Sequence, residues 1–295
     1  MSLKFLLIRH YVKKMDLKRN RQIPEPSGIV SFRNLRYAKG CGRWHKLDVY
    51  RPEGKEGPLP LLVVVHGGGW LYGDKEIYHL YAKDLARRGF AVVCFNYVLA
   101  PERKFPSPLI DLDDTMTWIS ENAIKYGFDL KNVFLVGDSG GAQMSAQYEA
   151  IATNPEYKKL FSLQIRVGIR GLGLNCGLYC KLGTPYKGDD TAKLMWDWYL
   201  GKKRNENDPR YETLANITKQ FCPCYIFTGE KDFIKDYNLP LEKRLDEVGV
   251  PYKFKEYTSK EGDKLQHVFH CTINEEHAIQ ANGDECAFFR SLIVK

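Results

Sequence analysis

Long hydrophobic runs are missing from this 295-residue chain. Nothing approaches the about 18 consecutive apolar residues of a membrane span, so stable membrane insertion is not expected. The first residues hold only Phe5-Leu6-Leu7-Ile8 before charge returns. That is shorter than the apolar core of about 7–15 residues in a secretory signal, and a cytoplasmic location is the expectation. Arginine–aromatic repeats are also lacking. The net charge of +8, from 44 basic and 36 acidic residues, reads as a solvated surface, so no nucleic-acid partner is expected. The eight cysteines are scattered. Only Cys176 with Cys180 and Cys222 with Cys224 stand close, without a second pair or a histidine at zinc-finger spacing. They read as reduced thiols, Cys94 and Cys224 as small hydrophobes in strand-like runs. No metal site is expected, and neither an internal repeat nor a low-complexity segment is visible.

What is present is organised around Val133-Phe134-Leu135-Val136-Gly137-Asp138-Ser139-Gly140-Gly141. A short apolar run reads as a buried strand. It ends in Gly-x-Ser-x-Gly, and a helix-compatible stretch follows over 142–152. Strand, tight turn and helix are the context of a nucleophile elbow, in which the serine is pushed out at the carboxyl end of the sheet. The backbone N–H groups at the helix start favour negative charge there. Taken alone, the pattern is weak. Gly-Asp-Ser-Gly-Gly also surrounds the nucleophile of trypsin-like proteases, where a proline usually follows on an all-β barrel. Here Ala142 follows and a helix begins.

The rest of the chain supplies the context. Phe5, Ile8, Val12 and Met15 recur at helical spacing among basic residues, which predicts an amphipathic helix that covers an apolar cleft rather than lying on a membrane. Pro24 and Pro26 end it. Edge strands are expected over 29–37 and 47–52, and a buried central strand over 61–65. His66-Gly67-Gly68-Gly69-Trp70 follows directly. Three glycines fit a place where backbone N–H groups must reach a ligand, as around a developing oxyanion. Gly67 and Gly68, with Gly69 as a further possibility, are the expected donors, joined by Gly140. His66 reads as scaffold. A helix over 76–88, a strand over 90–95 and a helix over 111–126 lead back to the elbow, and this alternation predicts a mostly parallel sheet. Strands within 163–175, at 224–228 and at 252–257, and a helix over 236–248, continue it. Asn282-Gly283 predicts a break in the final helix.

Four motifs, in this order and spacing, carry a resemblance: Leu47-Asp48-Val49-Tyr50-Arg51-Pro52, His66-Gly67-Gly68-Gly69-Trp70, Tyr97-Val98-Leu99-Ala100-Pro101-Glu102 and Gly137-Asp138-Ser139-Gly140-Gly141. Over about residues 28 to 292 the chain resembles an α/β hydrolase of the hormone-sensitive-lipase-like carboxylesterase family. Two departures stand out. The family usually has alanine where Gly140 stands, with glycine at the position of Ala142, and arginine where Val98 stands.

The resemblance implies an α/β-hydrolase fold with helices flanking the sheet. It implies a catalytic domain over 28–181 and 218–295, a cap insertion over 182–217, and an N-terminal segment, 1–27, that joins the cap. Ser139 would be the nucleophile and Asp232 the acid, with Asp236 as a supporting aspartate. His267, in a His-x-Phe setting, would be the base, with His270 as its rival. Trp70, Trp196 and Trp198 are candidates for the substrate pocket. The activity implied is hydrolysis of a small-molecule, short-chain ester without a cofactor, by a monomer or homodimer. An amidase, a formamidase or a carbohydrate deacetylase would use the same residues. A non-catalytic small-molecule receptor on this fold is the remaining alternative.

Overall fold

The computed structural model describes residues 3–184, 190–260 and 265–295, with side chains from residue 9 in the first helix and from residue 193 after the first gap. The Phe5 and Ile8 side chains of the expected apolar face, and residues 185–189 of the expected cap insertion, lie outside the described residues.

Eight strands form one sheet: β1 (Ile29–Arg36), β2 (Lys46–Pro52), β3 (Leu59–Val65), β4 (Ala91–Phe95), β5 (Phe128–Asp138), β6 (Gly171–Asn175), β7 (Cys224–Gly229) and β8 (Tyr252–Tyr257). Their spatial order is β1-β2-β4-β3-β5-β6-β7-β8. β1 pairs with β2, and β2 with β4, in antiparallel fashion; every later pairing is parallel. Eight α-helices accompany it: α1 (Leu3–Arg21), α2 (His79–Arg87), α3 (Ser107–Tyr126), α4 (Gly140–Thr153), the single turn α5 (Pro155–Lys158), α6 (Asp190–Tyr199), α7 (Asn238–Val248) and α8 (Glu276–Ser291). No described helix is long and apolar enough to cross a membrane.

The central strands are apolar on both faces because both are covered. Leu61, Val63 and Val65 of β3 enter one core with Val133 and Leu135 of β5 and the inner faces of α3, α4 and α7. Leu62 and Val64 enter the other with Phe134, Val136, α2 and the end of α8. Period-two alternation thus feeds two cores at once. Parallel register brings the carboxyl ends together: Val65 lies opposite Gly137, and Asp138 opposite Asn175. Loops leaving β3, β5, β6 and β7 therefore share one rim, where ligands bind in open parallel sheets.

One expectation from the sequence fails. α8 runs unbroken through Asn282 and Gly283. Asn282 is fully buried, and its amide donates to the His270 carbonyl at 3.1 Å and to Asp84 at 3.4 Å. Tertiary hydrogen bonds override the local turn preference of the dipeptide.

α8 also buries Glu285, whose Oε2 accepts from Tyr81 at 3.2 Å. Burial pushes its carboxyl up to about 8, against the opposing hydrogen bonds from Asn175 and Tyr81. Between about 4.5 and 8 the unfolded chain releases a proton that the folded chain keeps, so the contribution of this group to stability is greatest at low pH and falls as pH rises through this window. The slope from one such group is about 1.4 kcal/mol per pH unit. The urea unfolding midpoint of Glu285→Gln should therefore fall less steeply between pH 5 and 8 than that of the wild type. Equal slopes would mean that Glu285 is ionised in the folded protein.

Candidate active site

At the end of β5 the chain turns within one residue. Ser139 has φ +52° and ψ −119°, a conformation that costs a side-chain-bearing residue about 1–3 kcal/mol. Its N–H donates to the Asn175 carbonyl at 2.9 Å, which fixes the turn to β6. The turn is packed so closely on β3 that a Cβ on Gly141 would stand 2.0 Å from the Val65 carbonyl oxygen. Ser139 is half-buried at the start of α4, on the wall of a cavity of about 400 Å³.

The glycine loop after β3 lies against this turn, but its donors differ from those the sequence suggests. The Gly67 N–H is already engaged, with Asp138 Oδ1 at 3.1 Å and the Tyr78 hydroxyl at 3.1 Å. Gly67 therefore anchors the loop and does not face a ligand. Gly68, Gly69 and Gly140 line the cavity. Among the described residues, no protein group accepts from their N–H groups. Of the glycines expected as oxyanion donors, Gly67 is thus engaged within the protein, while Gly68 and Gly140 line the cavity together with Gly69.

Polar contacts around the loop hold it still. Tyr78 donates to Asp138 Oδ2 at 2.8 Å. Burial pushes the Asp138 carboxyl up to about 6, although Tyr78, His267 and Gly67 favour its charge. The His66 ring stacks on Tyr97 at 4.1 Å, and the Tyr97 hydroxyl donates to the His66 carbonyl at 3.0 Å. Burial lowers the His66 pKa to about 4, so the ring is neutral and structural. The Ala100 N–H donates to the Trp70 carbonyl at 2.9 Å. Past the loop, fully buried Lys75 pairs with Asp48 of β2 at 2.9 Å. Tyr78 was not legible as a site residue. Its place in an apolar helical run hides the hydroxyl that matters.

Asp232 and His267, expected as acid and base, come from the loops after β7 and β8. Asp232 is buried, and its Oδ1 lies 2.9 Å from His267 Nδ1. Thr228 donates to Oδ2 and the Ile234 N–H to Oδ1, both at 3.0 Å. Burial opposes ionisation of Asp232, but the His267 hydrogen bond and charge, with the Ile234 N–H, outweigh it and hold the carboxyl below its usual value. Asp236 is exposed and takes no part among these bonds; Thr228 and Ile234 fill the supporting role expected of it. His270 is fully buried with aromatic edges from Tyr81 and Phe227, and burial lowers its pKa to about 3. His267 lines the cavity that it shares with Ser139. No hydrogen bond of 3.5 Å or less joins His267 to Ser139, a spacing common before substrate tightens such sites.

The cavity walls also correct the aromatic assignment. Trp70 lines the cavity, but Trp196 and Trp198 do not. Trp196 is fully buried against Trp70, with ring centroids 5.1 Å apart, and donates to the Thr184 carbonyl. Trp198 packs into the core beneath α6. Their α6 neighbours Leu194 and Met195 face the cavity instead, with Leu178, Phe233 and Ile234. The opposite wall is α1, through Arg9, Val12, Asp16 and Arg19. It is tied down by Tyr72 donating to Asp16 at 2.6 Å, by Asn20 donating to the Ile77 carbonyl at 2.8 Å, and by Lys13 pairing with Asp74 at 3.1 Å.

A profile for the alpha/beta hydrolase fold matches residues 62–270, more than two thirds of the chain. The chain belongs to the α/β-hydrolase fold family. Among curated relatives, this hydrolase is 28% identical over 232 residues to a versiconal hemiacetal acetate esterase of Dothistroma septosporum, covering 72% of this chain and 68% of that one. It is 27% identical over 211 residues to an α/β hydrolase of Acanthamoeba polyphaga mimivirus, covering 70% of this chain and only 61% of the viral protein. The match to an esterase of Gibberella moniliformis likewise spans 63% of that relative's length. Among solved structures, esterase B from Lactobacillus rhamnosis superposes with a TM-score of 0.91 at 24% identity, covering 98% of this chain and 95% of that one. An esterase from Pyrobaculum calidifontis superposes with a TM-score of 0.79 at 23% identity, covering 100% and 95%.

The elbow packing makes a contrast that can be tested on the hydrolase itself. Gly141→Ala would drive a methyl into the Val65 carbonyl, and neither backbone can yield. Gly140→Ala would place its methyl 3.3 Å from Gly69 Cα, which a shift of a few tenths of an ångström relieves. The first variant should fail to give folded protein. The second should unfold within about 1 kcal/mol of the wild type in thermal melts.

Proposed function

We propose that this α/β hydrolase is a serine carboxylesterase that hydrolyses short-chain esters of small alcohols through an acyl-enzyme. The observation that carries the reading is the convergence on one cavity of a strained serine, three backbone N–H groups without protein acceptors, and an imidazole oriented by a buried carboxylate.

In this reading Ser139 attacks the ester carbonyl carbon while His267 Nε2 takes its proton. Asp232 keeps the proton of the imidazole on Nδ1 and stabilises the imidazolium that forms. The N–H groups of Gly68, Gly69 and Gly140 receive the oxyanion, where such donors are worth more than in water. The imidazolium protonates the leaving alkoxide. Water, activated by His267, then releases the acid and restores the serine. The chemistry draws only on side chains and backbone of this chain. The segments 1–27 and 182–217 act as a cap over the site, and the apolar lining from Val12, Leu71, Ile77, Leu178 and Met195 takes the acyl or alkoxy group. Relatives named as esterases support the choice of ester over amide.

Hydrolysis of p-nitrophenyl esters from acetate to laurate tests this. Turnover should peak at the short chains and fall at least about 10⁴-fold in kcat for Ser139→Ala. Turnover that survives in Ser139→Ala, or a folded wild type without any, would overturn the reading.

A further inference from the structure

Directly after β6 the chain adopts φ +47° at Cys176, a left-handed conformation that favours glycine. A glycine is available at the next position, yet the left-handed residue is the cysteine. Gly177 serves another purpose: a Cβ there would meet the Tyr179 hydroxyl at 2.1 Å. The strained residue is also fully buried, and its thiol is unpaired with any other cysteine. Such a conformation persists only where its surroundings over-determine it.

Those surroundings are the acid and the base. Cys176 Sγ, a carboxylate oxygen of Asp232 and a ring nitrogen of His267 lie within 4.8 Å of one another. The Cys176 N–H donates to the Phe227 carbonyl at 2.7 Å, which locks it to β7, the strand that delivers Asp232. The Asp232 carboxylate is the charged group that the thiol faces, within reach of its proton, and Val268, one residue past the imidazole, brings its N–H near the sulfur. Val268 itself has φ +56°. Burial, and then the Asp232 charge, push the thiol well above its ordinary range, so it keeps its proton and remains a donor.

We infer that Cys176 is a positioning residue: its thiol clasps the Asp232 carboxylate to the His267 loop and sets both the orientation of the imidazole and its basicity. The inference rests on the proposed roles of Asp232 and His267. The direction of the effect follows from the donor. A hydrogen bond to the carboxylate disperses its charge and weakens its pull on the imidazolium. Removing the donor should therefore strengthen the pull of the carboxylate on the imidazolium and loosen the ring. A stronger donor should weaken that pull.

Cys176→Ala and Cys176→Ser test this, read by pH profiles of ester hydrolysis and by the downfield Nδ1–H proton resonance of His267. The titratable groups facing His267 are Asp232, Asp138 and neutral His270, with Cys176 itself, and only the last changes between variants. Cys176→Ala should lower kcat about tenfold with KM within twofold, and move the acid limb of kcat/KM to higher pH. Cys176→Ser should recover most of kcat and move the limb to lower pH. An alanine variant with wild-type kcat and an unmoved limb overturns the inference. Should the alanine variant not fold, a folded serine variant whose limb and Nδ1–H resonance match the wild type overturns it equally. The resonance needs no substrate. A wild type without esterase activity would sink the function proposed above, while a resonance shift between wild type and variant would still uphold the clasp.

Discussion

The site depends on a conflict within the polypeptide backbone. An oxyanion needs N–H groups that are free, whereas a folded chain satisfies nearly all its buried N–H groups. The N–H groups of Gly68 and Gly69, proposed above as its donors, must therefore be held rigid by everything except their own hydrogen bonds. The solution is to anchor the residues on either side. Gly67 spends its N–H on Asp138 and Tyr78, the Trp70 carbonyl is taken by Ala100, and Lys75 is locked by Asp48 and by the Asn96 side chain. The loop between is fixed without being paired.

This explains why short motifs distant in sequence occur together. Asp48 belongs to one, Tyr97 and Ala100 to a second, Asp138 to a third, and each ends on the glycine loop or its continuation. The Val98 N–H, in the second, donates in turn to Asp111 of α3 at 2.7 Å. The polar groups that brace the loop are largely buried and paired with one another, an arrangement that specifies one geometry because lost partners are so costly. The departure at Val98 leaves this brace intact, since the backbone makes the bond. The departure at Gly140 leaves its N–H in place.

Much of this was legible in the sequence because it rests on local rules. The buried strand over 61–65, the elbow at Ser139, and the order of strands and helices follow from period, glycine and proline. The pairing of Asp232 with His267 rather than His270 also agrees with the motif setting. What was not legible depended on direction. Nothing in His-Gly-Gly-Gly-Trp says which amide turns toward Asp138, so the engagement of the Gly67 N–H could not be read from it. Nothing in the aromatic cluster of α6 says which side of the helix meets the cavity, and Leu194 and Met195 hold the wall that Trp196 and Trp198 were expected to form. The unbroken α8 has the same origin: the partners of Asn282 lie at Asp84 and His270, one of them remote in the chain.

α1 supplies one wall of the cavity, and it precedes in the chain every residue it is tied to there: Tyr72, Asp74 and Ile77. During synthesis it must wait. α1, made before its partners, finds its seat only after β3 and the glycine loop exist. Among the described residues α1 adds nothing to either core and is held by polar ties and by Val12 at the cavity, so this wall of the pocket is expected to come away at a free-energy cost separate from unfolding of the sheet.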